Sequence, residues 1–135
     1  MPWWQRIIAG LRELRESTRY SGRLGRVFAL RDRGQLEEAL RDALALAGEV
    51  LDSPSSLHVP TTLAVVATID ELAERLERPE AAYDSLRRAL VIVGKEQADL
   101  VAALHPRPGD WQSLLERYRR EFQDRVNAIV SARNT

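Results

Sequence analysis

The amino-acid sequence predicts an all-α fold, and three observations carry that expectation. Apolar residues recur at helical spacing along almost the whole chain, glycine and proline punctuate that spacing at hairpin distances, and no strand-like alternation interrupts it. A chain of 135 residues, 44% hydrophobic and 30% charged, is one domain's worth and long enough to bury a core without staples.

The elements follow in order. Trp3, Trp4, Ile7, Ile8, Leu11 and Leu14 keep the i, i+3, i+4, i+7 rule, and Pro2 suits a first helical turn, so residues 1–20 read as an amphipathic N-terminal helix. Ser21-Gly22 is expected to break it, with Ser21 capping a short helix that carries Leu24, Val27, Phe28 and Leu30. Gly34 ends that helix. Glu37 and Glu38 then open the next, where the helix dipole favours acids, and Leu40, Ala43, Leu44, Ala47 and Val50 continue it to about Asp52. Residues 22–52 thus form a first hairpin.

The stretch SPSSLHVP (53–60) reads as a linker. Leu63, Val66, Ile69, Leu72, Ala73 and Leu76 lie on one face of the following helix, and Pro79 marks the start of another with Ala82, Tyr83, Leu86, Ala89, Leu90 and Val93. Gly94 is expected to cap it, closing a second hairpin over 59–94. C-terminal helices fill 95–133: a short piece to Leu104, the turn HPRPGD, then a helix capped by Asp110 with Trp111, Leu114, Leu115, Tyr118, Phe122, Val126 and Ile129 in register.

An internal repeat underlies this order. Ala39, Ala43, Leu46, Ala47 and Val50 align with Ala82, Leu86, Ala89, Leu90 and Val93 at a constant offset of 43 residues, and each set follows a break that itself follows a helix. Small residues at such positions let antiparallel helices approach closely, and leucines fill the ridges beside them. At GQLEEAL and SLRRALVI, and over roughly residues 22–94, the chain resembles the tetratricopeptide repeat (TPR) family in its longer form. The resemblance implies stacked antiparallel hairpins with terminal capping helices, and a non-enzymatic adaptor or scaffold that binds another protein or a second copy of itself. In that family the first helix of each hairpin lines the inner face, which would take a peptide by shape and charge. The second repeat departs in having Arg78-Pro79 where the first has a glycine, and a third repeat over 95–131 is barely recognisable.

Composition narrows the chemistry. Zero cysteines remove disulfides, thiolate metal sites and cysteine nucleophiles. The longest apolar runs, LAVVA and ALVIV, fall far short of the roughly 18 residues of a membrane span, and the N-terminus has no secretory core, so the expected compartment is cytoplasmic. Net charge is zero but uneven: residues 1–31 hold seven arginines against Glu13 and Glu16, while 32–104 hold fourteen acids against seven bases. That asymmetry favours pairing within the fold or between copies over a nucleic-acid partner. Only Lys95 among the basic residues is lysine, which fits a GC-rich bacterial genome.

No catalytic, cofactor-binding or metal-ligating constellation appears. His58 and His105 sit in proline-flanked turns without an acidic or serine partner at catalytic spacing. Asp70, Glu74 and Glu77 share a helix face with Glu71, but no Glu-x-x-His pair accompanies them, so a solvated acidic face is expected. The same face could line a groove for a basic peptide, modulated by Arg75. The arginines Arg12, Arg15, Arg19, Arg23 and Arg26 read as a solvated face or as partners of the acidic middle. The candidate partner-binding residues are therefore Trp3, Trp4, Ile7, Arg12, Arg15, Arg19, Glu71, Glu74 and Arg75. The Trp-containing first helix has three readings: a capping stripe on the core, a self-association or partner surface, or a membrane-surface anchor in a peripheral membrane or polyanion-binding protein.

Overall fold

The computed structural model describes residues 19–52, 59–104 and 108–134, all within helices or the turns between them. Helix α1 covers 19–32, α2 Leu36–Asp52, α3 Val59–Arg75, α4 Tyr83–Leu104 and α5 Pro108–Arg133, with a 3-10 turn over Pro79–Ala82 leading into α4. Consecutive helices pack on one another from α2 to α5, and α2 also touches α4. The all-α expectation holds.

The turn after α1 is built by Gly34 at φ 81°. The amides of Gly34 and Gln35 reach back to the carbonyls of Arg31 and Leu30, at 3.0 and 2.9 Å, so two carbonyls that the helix end would orphan are satisfied. The turn after α3 repeats this construction. Glu77 stands at φ 60°, and the amides of Glu77 and Arg78 reach the carbonyls of Glu74 and Ala73 at 3.0 and 2.8 Å. Every donor and acceptor in the second turn lies 43 residues after its counterpart in the first. Pro79 then sits at the first position of the 3-10 turn, where a missing N–H costs nothing.

The core follows the expected stripes. Ala39, Ala43, Leu46, Ala47 and Val50 of α2 are buried, as are Leu63, Val66, Ile69, Leu72 and Ala73 of α3 and Ala82, Leu86 and Ala89 from the second repeat. Leu24 and Val27 of α1 and Leu115, Phe122, Val126 and Ile129 of α5 close onto the same cluster. Helix α3 is the central element: Thr62, Val65 and Thr68 are buried as well, and the Thr68 hydroxyl donates to the Ala64 carbonyl at 2.7 Å, so its burial leaves no lost hydrogen bond.

Several boundaries are corrected. Helix α1 runs unbroken through Ser21 and Gly22, so Ser21 is no cap. A helical glycine costs only about 1 kcal/mol, and the burial of Tyr20, Leu24 and Val27 on one face outweighs that. Gly94 does not end its helix either, for α4 continues to Leu104. Asp110 falls inside the first turn of α5, which begins at Pro108, and α3 begins at Val59 within the expected linker. Leu44, one of the residues that continue α2, is 38% exposed because it lies off the Ala43–Ala47–Val50 stripe.

Candidate functional site

Two contacts fix the register of α1 against α3. The hydroxyls of Ser21 and Thr61 lie 3.5 Å apart, and Arg31 Nη1 donates to Glu71 Oε2 at 3.1 Å. Both join residues 40 apart in sequence, so the two helices run parallel. On the other side of α3, Arg125 of α5 donates from Nε to Asp70 Oδ1 at 3.0 Å and places Nη2 3.4 Å from Glu74 Oε2. Helix α3 is thereby held between α1 and α5.

The open arc of α3 has two halves. Ala64 and Ala67 are partly buried small residues toward its N-terminal end, and Glu71 and Glu74 continue the same i, i+3, i+7 progression. Phe28 of α1 stands nearby in the chain of contacts, with the Arg31 guanidinium 4.7 Å from its ring centroid. The N-terminal half of this arc thus carries small apolar residues, and the C-terminal half carries a lattice of charges.

Glu71, Glu74 and Glu77 are exposed, in keeping with a solvated acidic face, but Glu71 and Glu74 are also ion-paired and Asp70 departs from it. Glu71 is shared between Arg31 and, at 3.9 Å, Arg75; Asp70 and Glu74 share Arg125. The Asp70 side chain is only 17% exposed. Burial raises its carboxyl above the ordinary carboxylate range, against the opposing pull of the Arg125 hydrogen bond and charge. Asp70, Glu71 and Glu74 are thus already engaged by the chain's own arginines.

Of the nine residues proposed for partner binding, Trp3, Trp4, Ile7, Arg12 and Arg15 lie outside the described residues. His58 and His105 do too. Glu71, Glu74 and Arg75 come together on α3 as described. Arg19 is elsewhere: with Arg23 it pairs to Glu49 of α2, which realises the pairing of basic N-terminal arginines with the acidic middle. Sequence reading missed Arg31 and Arg125 as members of the site. Their partners lie 40 and 55 residues away, a separation with no local signature.

Other concavities are polar and open. A cleft of about 230 Å³ between α1 and α2 is lined by Arg23, Arg26, Asp42 and Ala45, and one of about 440 Å³ lies along Glu116, Arg119, Arg120, Gln123 and Asp124 of α5. Among the described residues, no group of three or more acids and histidines is placed to hold a metal ion, and no helix is long and apolar enough to cross a membrane. Comparison with family models, with curated proteins and with solved structures gives no significant match.

Proposed function

We propose that this chain is a non-enzymatic, TPR-like interaction module whose α1–α3–α5 face receives a segment of a partner protein or of a second copy. The observation that supports this most is the doubled turn: the same backbone hydrogen bonds recur 43 residues apart, at glycine once and glutamate once. A chain that closes two helix pairs by one device and keeps α1 and α3 in parallel register has the ingredients of stacked hairpins. With Glu71, Asp70 and Glu74 satisfied internally, the face would select its ligand by fit over Ala64 and Ala67 more than by charge.

The test is a selection of random displayed peptides on the full chain, repeated on Ala67→Arg, alongside light scattering over a concentration series. The proposal expects peptides, or self-association, that Ala67→Arg abolishes without lowering the melting temperature. A monomeric chain yielding only peptides indifferent to Ala67→Arg would overturn it. A membrane or polyanion role for the N-terminal helix gains no comparable support, since Arg19 and Arg23 are engaged by Glu49.

A further inference from the structure

Tyr83, the first residue of α4, lies where α4 begins and α5 ends. Two arginines from different helices converge on its ring. The Arg133 guanidinium is 4.3 Å from the ring centroid, and that of Arg87 is 5.7 Å away with Nη1 3.4 Å from the Tyr83 hydroxyl. The two cationic centres are therefore no farther apart than the Debye length of about 10 Å at 0.1 M salt, and they repel.

Neighbouring arginines solve this problem with carboxylates. Arg78 has Glu37, Arg88 has Asp52, and Arg125 has Asp70 and Glu74. Among the described residues, no carboxylate lies within ion-pairing distance of Arg87 or Arg133. Asp84, one turn before Arg87, is spaced for an i, i+3 pair, yet Arg87 turns to Tyr83. The aromatic face holds both guanidinium forks in place, which lowers the ordering a ligand must impose. The positive end of the α4 dipole adds to the field there, while the C-terminal end of α5 offsets part of the Arg133 charge.

We infer that Tyr83, Arg87 and Arg133 form an anion site for a phosphoryl group, free or in a small monoester. A tetrahedral dianion presents enough oxygens to accept from both guanidinium forks and the Tyr83 hydroxyl together, and it removes the repulsion between the arginines. The site is separate from the α1–α3–α5 face and does not depend on its role.

The test follows the Arg87 and Arg133 Nε–Hε resonances and the Tyr83 and Asp84 backbone amides of the full chain, the amides alone in the double variant, while inorganic phosphate, pyrophosphate and O-phosphoserine are titrated in. Saturable shifts in both resonances are expected, with affinity about tenfold weaker in Arg87→Met and in Arg133→Met, and lost in the double variant. Tyr83→Phe, which keeps the ring, should bind more weakly than the parent but more tightly than either arginine variant. Tighter binding of O-phosphoserine than of inorganic phosphate would assign the site to a monoester, and equal binding to the free ion. The absence of a saturable shift, or unchanged affinity in the double variant with its fold intact, would overturn the assignment.

Discussion

The turns at Gly34 and Glu77 make the same hydrogen bonds from residues of opposite aptitude. At φ 81° Gly34 meets no steric cost, and no atom lies near the Cβ it lacks. At φ 60° Glu77 occupies a conformation that costs an L-residue roughly 1–2 kcal/mol. The second turn keeps its shape because its surroundings hold it. Pro79 starts the next element, Arg78 pairs with Glu37 of α2 at 2.6 Å, and Ala73 and Ala82 are fully buried on either side. One turn is set by its own residue, the other by what flanks it.

The buried faces of α2 and α4 differ in a parallel way. Ala43 and Leu46 of α2 correspond to Leu86 and Ala89 of α4, all fully buried, so the large and small members are transposed. Leu86→Ala should cost about 2–5 kcal/mol in urea denaturation, and Leu46→Ala a comparable amount. If Leu86→Ala cost no more than a surface change, α4 would not share the core of α2. Ala43→Leu, which imitates the second repeat within the first, should destabilise by about 1–3 kcal/mol through overpacking. A neutral result would show that the repeats are interchangeable in volume as well as in turn geometry.

The next effect concerns the tie between α3 and α5. Arg125→Met removes the only cation that Asp70 and Glu74 share among the described residues and should cost about 1–3 kcal/mol, with the Asp70 carboxyl rising further. Double substitution with Asp70→Asn should recover part of that loss.

The turn pair comes next. Glu77→Gly should stabilise by about 1 kcal/mol, whereas Gly34→Ala should destabilise by a similar amount. Like signs for the two would dissolve the equivalence.

The smallest effect is one of pH. The folded Asp70 carboxyl binds its proton more readily than the unfolded one, whose ordinary value is 3.8. Holding it ionised therefore costs stability at neutral pH, and that cost fades as pH falls through the raised folded value toward 3.8. Asp70→Asn should be at least as stable as the parent at pH 7, and its advantage should shrink on acidification. An advantage that grew at low pH would reverse the sign.

What the sequence revealed and concealed divides along the same physical line. The Gly34 turn was legible because glycine after a periodic segment has one dominant use, and the buried stripes of α2 and α3 were legible because burial repeats with the helix. Glu77 was not, since a glutamate carries no sign of positive φ; the proline two residues on drew the eye to Arg78-Pro79 instead. Gly22 and Gly94 misled in the opposite sense, as a glycine's modest helix penalty is outvoted by packing. Of the site, Glu71, Glu74 and Arg75 could be grouped by spacing, but Arg31 and Arg125 reach them only through the fold.

The most direct test of the shared turn is NMR at the two amides that close it, Gln35 and Arg78. Both donate to a carbonyl five residues back, so both should exchange slowly and to a similar degree, with coupling constants and short-range NOEs placing Glu77 in the left-handed region. Fast exchange at Arg78 beside protection at Gln35, with Glu77 at negative φ, would contradict the account, for the repeat would then hold in the sequence alignment and not in the fold.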